Sequence, residues 1–179
     1  MTARIAAASA LVLALLLAPA AQAQERKKPR LDGNAVISFS GVGQIKLGMT
    51  LAEARKAARR TIVAGQEVTK DCRHDRLFPR RWGLDTLRFK TKIRVLYVTR
   101  TAMPTRRGIR VNDTLAELQE AHTSGLTERP SDVSPTTRIF ELQGAGRREM
   151  QFSVNSQTSR IFQIATGLRP EVDFSEGCA

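Results

Sequence analysis

The sequence has few of the residues that most enzymes use for catalysis. Its 179 residues include two histidines and two cysteines, and aromatic residues make up 5% of the chain. The motifs HExxH, GxSxG and the phosphate-binding P-loop are absent from it. These absences exclude the familiar sites of zinc peptidases, α/β-hydrolases and P-loop nucleotide hydrolases. We therefore expect no enzyme, no catalytic residue, no bound metal and no cofactor.

The two histidines have simpler interpretations than catalysis. His74 lies in the segment DCRHDR between Asp71 and Asp75, where it could act as a base or a metal ligand. A surface position near a disulfide is the simpler interpretation, and a small hydrolase that uses His74 is kept as an alternative. His122 follows a predicted helix, where a cation near the C-terminus is favourable.

Residues 1–23 have the pattern of a secretory signal peptide. Arg4 precedes an apolar run over residues 5–17, and the segment ends in the small-x-small sequence Ala21-Gln22-Ala23. The run is shorter than the roughly 20 apolar residues that a membrane-spanning helix needs. No cysteine follows Ala23 directly, which argues against a lipid anchor. We expect a mature chain without a transmembrane segment, in the periplasm or secreted.

Two cysteines in an exported chain favour one disulfide, between Cys72 and Cys178. A zinc site is disfavoured because neither cysteine belongs to a closely spaced pair such as CxxC. An oxidising compartment also argues against a free catalytic thiol. The sequence therefore predicts a structural bridge between the middle of the chain and its last residues.

Positive charge dominates the composition. The chain carries 29 Lys+Arg against 17 Asp+Glu, a formal net charge of +12. Such a surface attracts anions, including acidic proteins and anionic polymers of the cell envelope. Nucleic acid is disfavoured as a partner because it is less available outside the cytoplasm. Whether the charge is functional or a compositional bias stays open at this point.

Two stretches of the sequence are similar to each other. Residues 41–57 read GVGQIKLGMTLAEARKA, and residues 107–121 read RGIRVNDTLAELQEA. In each, a short extended piece precedes a threonine with a glutamate three residues later, which is the capping box at the start of a helix. The pairs are Thr50 with Glu53 and Thr114 with Glu117.

Strand-like segments follow each helix. They are residues 84–89 and 94–100 in the first half, and residues 137–142, 149–154 and 160–166 in the second. These repeated patterns predict an α+β fold of two tandem units, each with a helix and an antiparallel sheet. The predicted organisation is a signal peptide over 1–23, a basic flexible arm over 24–35, a first unit over 36–104 and a second unit over 105–179.

The segment IKLGMTLAEARKA resembles the first element of the small helix–sheet modules in the BamE/SmpA outer-membrane assembly lipoproteins. Two such modules in tandem resemble the fold of the β-lactamase inhibitory protein (BLIP-like), and uncharacterised secreted bacterial proteins look similar. The resemblance implies a non-catalytic binding surface built from two small sheets. This chain lacks the lipidation cysteine and matches none of the inhibitor's contact residues, so no specific partner is implied.

The function predicted from these patterns is that of an exported binding protein of the bacterial envelope, which recognises a protein partner or an anionic envelope component. A charge-driven polyanion binder is the alternative. The exposed sheet face and the loops are the candidate contact surfaces, and the oligomeric state stays open. Aromatic and arginine side chains, which are enriched at binding hot spots, give these candidate binding residues: Arg80, Arg81, Trp82, Tyr97, Arg147 and Arg148.

Peptide mass spectrometry without reduction tests the disulfide. We expect peptides containing Cys72 and Cys178 to be covalently joined, and reduction to separate them. Closing a loop of this size stabilises the fold by roughly 4–5 kcal/mol in the chain-entropy model. Recovery of both cysteines as free thiols from protein isolated from the periplasm would reject the bridge.

Overall fold

The structure is a computed structural model that describes residues 30–132 and 134–173. The predicted signal peptide, most of the predicted basic arm and Cys178 lie outside the described residues. In the described part of the chain, neither helix has the length and apolarity needed to cross a membrane.

Within these ranges the chain forms two short α-helices, α1 (Leu51–Ala58) and α2 (Leu115–Ala121), and two short 3-10 helices, Arg80–Trp82 and Glu171–Asp173. Three strands of two residues each form a small antiparallel sheet: β1 (Ile37–Ser38), β2 (Gly41–Val42) and β3 (Ile45–Lys46). The remaining described strands form one nine-stranded antiparallel sheet. They are β4 (Ile62–Val63), β5 (Glu67–Thr69), β6 (Cys72–Leu77), β7 (Leu84–Phe89), β8 (Lys92–Val98), β9 (Leu126–Pro130), β10 (Thr137–Gln143), β11 (Arg148–Asn155) and β12 (Arg160–Leu168).

Strands from the two halves of the chain join in the middle of the large sheet. The order is β4-β6-β7-β8-β12-β11-β10-β9, and β5 also pairs with β6. The joint is the antiparallel pair of β8 and β12, whose register runs from Ile164 opposite Val98 to Gly167 opposite Val95. Each strand satisfies backbone groups that the other would leave exposed at an edge. One continuous sheet results.

The predicted fold class, α+β with two tandem helix plus antiparallel-sheet units, is wrong. The fold is dominated by antiparallel sheet, and its helices have only 8 and 7 residues. Helix α1 stops because Arg59 takes a left-handed backbone conformation with φ of 51°. The pairing of β8 with β12 merges the strands into one sheet, and no local pattern in the sequence announces this long-range contact.

Both capping boxes are confirmed. The hydroxyl of Thr50 accepts a hydrogen bond from the backbone N–H of Glu53 at 3.2 Å, and the Glu53 carboxylate accepts one from the Thr50 N–H at 2.7 Å. Thr114 and Glu117 repeat these contacts with the same two distances. Thr50 also forms an isolated bridge with Lys92, so the start of α1 is attached to the sheet.

The predicted strands are confirmed, with small shifts at their ends, at β7, β8, β10, β11 and β12. Strand β6 was not predicted. Its sequence CRHDRL is mostly charged and reads as a loop, yet it pairs with β7 from Cys72 opposite Phe89 to Arg76 opposite Asp85. His74 therefore lies in a strand.

The two faces of the large sheet carry different clusters of buried side chains. Alternation along β8 sends Leu96 and Val98 into the main core, where Ala54 of α1 and Leu118 of α2 also pack. The opposite face carries a second cluster of Cys72, Leu87, Val95, Ala165 and Val172. Because Val172 belongs to the last described turn, the chain runs close to Cys72 shortly before Cys178, which lies outside the described residues.

The described part of the predicted flexible arm is packed on the fold. Leu31 is fully buried in the main core, and its N–H donates to the carbonyl of Ala58 at 3.1 Å. Arg30 donates from Nε to the carbonyl of Arg59 at 2.9 Å. These contacts attach residues 30 and 31 to the end of α1.

Replacement of either capping threonine tests the helix starts. We expect Thr50→Ala and Thr114→Ala each to lower the free energy of unfolding by about 1 kcal/mol, because each change removes the acceptor of an N-terminal N–H. Urea titration followed by the fluorescence of the single tryptophan, Trp82, measures the change. Thr50→Ser and Thr114→Ser keep the hydroxyl and should lose much less. An unchanged midpoint in both alanine variants would contradict the caps.

Candidate functional site

The face of the large sheet opposite the α-helices is covered in part by the 3-10 helix Glu171–Asp173 and carries the second buried cluster. Both helices pack on the side of the main core. On the opposite side, alternate residues of β8, β12, β11 and β10 point away from that core. We call this surface the open face, and its residues are Tyr97, Ile139, Gln151, Ser153, Phe162, Gln163 and Ala165.

The open face contains a trough of about 270 Å³. Its floor combines the apolar side chains of Ile139 and Ala165 with the amide of Gln151. Val172 and Asp173, in the last described turn, line one part of the trough. Phe162 is 43% exposed, which is unusual for a phenylalanine in a strand. The trough is thus lined by an exposed aromatic ring, Phe162, and by the amide of Gln151.

A network of ion pairs borders the trough. Arg169 pairs with Glu149, and its Nη2 lies 3.0 Å from Glu141 Oε2. Arg129 pairs with Glu141, and its Nη2 lies 3.7 Å from Asp173 Oδ1. Glu149 is fully buried, and a buried carboxylate is tolerated only when it is paired and hydrogen-bonded. The network therefore holds these charges in fixed positions.

Gln151 links the network to the trough. Its Nε2 donates to Glu149 Oε1 at 2.7 Å and to Asp173 Oδ1 at 2.9 Å. Burial raises the pKa of Asp173 above its usual range, and the negative charge of Glu149 adds to this, while Arg169 and Arg129 act in the opposite direction. Asp173 therefore takes up a proton more readily than an isolated aspartate does.

Carboxylate oxygens of Glu141, Glu149 and Asp173 lie within 4.8 Å of one another, a spacing that a metal ion could bridge. Arg169 contacts all three residues, and Arg129 contacts two of them. The guanidinium groups already supply the positive charge that these carboxylates need. The arrangement is that of a structural ion-pair network.

Tyr97 and His74 form a stacked pair beside the trough. Their ring centroids are 5.9 Å apart with an interplanar angle of 21°. Burial raises the pKa of Tyr97 to about 12. The predicted contact residue Tyr97 thus lies on the open face, although most of its ring is covered.

His74 also borders a separate cavity of about 380 Å³ with Asp75, Arg76 and Asp85. The carboxylate of Asp75 accepts from Arg88 at 2.6 and 3.0 Å and from the Gly65 N–H at 3.1 Å. Arg76 Nε lies 3.4 Å from Asp85 Oδ1. Asp75 and Asp85 are therefore each paired with an arginine and not with the imidazole of His74.

Arg81 belongs to a different surface, next to the end of α1, whereas Arg80 lines the cavity beside His74. Arg60 lies over the ring of Trp82, with 4.6 Å from Cζ to the ring centroid, and Trp82 itself is only 5% exposed. Burial lowers the pKa of Arg60, and the charges of Arg30 and Arg81 lower it further. We call this surface the arginine patch: Arg30, Arg55, Arg59, Arg60 and Arg81.

The candidates Arg147 and Arg148 point to opposite sides of the sheet. Arg147 Nη2 lies 3.5 Å from Glu171 Oε2, and its guanidinium also donates to the carbonyl of Arg169. Arg148 alternates with Glu149 and lies on the side of Met150, towards the helices. The candidate residues are thus divided among the open face, the arginine patch and the helix-covered side.

Sequence reasoning missed the ion-pair network and Phe162. Glu141 lies between Phe140 and Leu142, and Gln151 between Met150 and Phe152. This alternation of polar and apolar residues is the signal of a strand with two different faces, and it marks which side is open. The partners Arg129 and Arg169 come from distant segments, so the network itself has no local signal.

No protein-family model and no curated protein matches the chain significantly. Among solved structures, the uncharacterized protein yfeY from Escherichia coli has a TM-score of 0.52 and 16% identity, over 75% of this chain and 99% of that one. An extracellular protein containing a SCP domain from Bacillus anthracis has a TM-score of 0.48 and 7% identity, over 82% and 50%. The yfeY likeness shows a shared fold only. The tandem BamE-like and BLIP-like modules are not confirmed.

The single tyrosine permits a direct test of the open face. We expect the ultraviolet absorbance of Tyr97 to titrate with a midpoint of about 12 in the native protein, and near 10 in guanidinium chloride. The neutral phenol is favoured in the fold, so its contribution to stability is complete below about pH 10 and is lost as the pH rises towards 12. Circular dichroism at each pH verifies folding. A native midpoint near 10 would contradict the burial of this ring.

Proposed function

We propose that the protein is an exported, non-catalytic binding protein of the bacterial envelope, and that its open face recognises a protein partner. The observation that carries this proposal is the trough on the open face, in which exposed Phe162 adjoins an apolar and amide floor. Protein interfaces are enriched in aromatic side chains and arginine and have satisfied polar groups around an apolar centre.

Charge on the open face favours a protein over a polyanion. Arg129 and Arg169 are neutralised by Glu141, Glu149 and Asp173. A polyanion would have to displace Glu141 and Glu149, which are buried, and leaving a buried charge unpaired is costly. The side chains of the network are already held in place. Binding of a partner with a complementary shape therefore costs little of their conformational entropy.

Export rests on residues 1–23 and on the predicted pairing of Cys72 with Cys178. A secreted chain can keep such a bridge. Binding without catalysis is favoured by the surroundings of His74, whose neighbouring acids are engaged by arginines. The alternative of a small hydrolase requires that His74→Ala abolish an activity.

The arginine patch favours a second candidate function, the binding of an anionic envelope polymer. Its guanidinium groups donate to backbone carbonyls: Arg60 to Leu31 at 2.8 Å and Arg55 to Ile62 at 2.7 Å. Their charge is thereby left available to an external anion. Binding of this kind should weaken steeply as salt rises.

Pull-down from envelope extract at low and high salt distinguishes the two candidates. We expect the mature protein to retain a specific partner in about 0.5 M salt, because recognition on the open face depends on shape. Salt at this concentration screens interactions between exposed charges. Phe162→Asp should abolish capture. Val68→Asp is the matched control, since Val68 is similarly exposed (45%) but lies in β5, away from the trough.

The double variant Arg80→Glu/Arg81→Glu completes the design. It should keep the partner if the open face is the binding surface. If capture disappears in this variant and in high salt but survives in Phe162→Asp, the arginine patch is the binding surface and the proposal for the open face is rejected. Absence of any partner that depends on Phe162 also rejects it.

A further inference from the structure

A second cleft lies on the opposite side of the sheet from the open face. It has a volume of about 370 Å³ and is formed where strand β1 and the following turn approach the β10–β11 hairpin. Leu142 and Met150 line it, whereas their neighbours Glu141 and Glu149 belong to the network on the other face. The cleft is therefore separate from the surface proposed to bind a protein.

The floor of this cleft is apolar and ordered. Ile37, Leu142 and Met150 are buried in the main core. Phe39 packs against that core and lies against Gly144, where a Cβ atom would come within 2.7 Å of the phenylalanine ring. The absence of a side chain at Gly144 thus lets Phe39 form a wall of the cleft.

Three arginines surround the opening. Arg106, Arg107 and Arg148 line the cleft and are exposed. Among the residues that the structure describes, no carboxylate lies within ion-pair distance of any of them. The arginines of the open face, Arg129 and Arg169, are by contrast paired. The opening of this cleft carries positive charge that the described fold does not neutralise.

His122 adds a polar group to the same cleft. Its Nε2 is buried and lacks a hydrogen-bond partner within the described chain. Burial lowers the pKa of His122, and the charge of Arg107 lowers it further, so both favour the neutral ring. Arg107 Nη1 instead donates to the carbonyl of Ala121 at 2.6 Å and supplies the cation at the end of α2. The cation at the end of α2 is therefore Arg107, and not His122 as the sequence had suggested.

We propose that this cleft binds a single-chain anionic amphiphile, with its carboxylate held among Arg106, Arg107 and Arg148 and its alkyl chain on the apolar floor. Arginine forks match the geometry of a carboxylate. The volume lies near the lower end of the range for small-molecule sites, which suits one chain of medium length. A polyanion would leave the apolar floor unused, and a neutral lipid would leave the arginines unpaired.

Titration calorimetry of the mature protein with decanoate tests this assignment. We expect one decanoate per protein, and binding of decanamide or decyltrimethylammonium at least tenfold weaker, because neither offers an anion to the arginines. Arg106→Glu/Arg148→Glu should weaken decanoate at least tenfold. Arg80→Glu/Arg81→Glu is the matched control, since it makes the same change of charge at residues that do not line the cleft, and its affinity for decanoate should stay within twofold.

A steric variant separates the cleft from charge alone. Ala145 lines the cleft and is exposed, so Ala145→Trp should obstruct binding without altering charge, and thermal unfolding should verify that every variant is folded. Equal affinity for decanoate and decanamide, an equal loss in the control variant, or binding only to phosphatidylglycerol vesicles would overturn the assignment. These outcomes are independent of the Phe162 test, because Phe162 lies on the other face.

Discussion

Strands β8 and β12 are far apart in the sequence, yet their backbone groups hydrogen bond to each other in the centre of the large sheet. Without this pair, the strands on either side of it would form two smaller sheets. Strand β8 would be an unpaired edge of one sheet and β12 an unpaired edge of the other. With it, one surface faces the α-helices, and the opposite surface carries the second cluster and the trough. The position of the open face follows from that single antiparallel joint.

Arginine is distributed unequally between these surfaces. On the open face, Arg129 and Arg169 are engaged by buried carboxylates. Elsewhere, Arg55 and Arg60 of the arginine patch and Arg107 at the cleft donate to backbone carbonyls. Among the described residues, the two arginines of the open face are thus paired with acids, whereas those at the cleft are not. A basic sequence need not have a basic binding surface.

Local structure was predictable where the chemistry is local. The threonine and glutamate of each capping box lie three residues apart, and the β-rich segments announce β7, β10 and β11. Strand β6 was missed because CRHDRL reads as a loop, and its charges are accommodated by Arg88 and neighbouring strands. The joint of β8 with β12, and the meeting of Arg169 with Glu141 and Glu149, depend on contacts between distant segments. Such contacts have no periodicity to read, so the fold class and most of the open face could not be predicted.

The outermost strands of the large sheet are poor templates for another chain. Strand β9 ends at Pro130, which has no N–H to donate, and β4 has only two residues. On the same side as β4, the chain leaves the ladder at Gly65, whose N–H is taken by the Asp75 carboxylate. Edge-to-edge polymerisation needs a long row of free backbone donors and acceptors. A sheet of nine strands can therefore end at both sides without offering another chain a long edge to pair with.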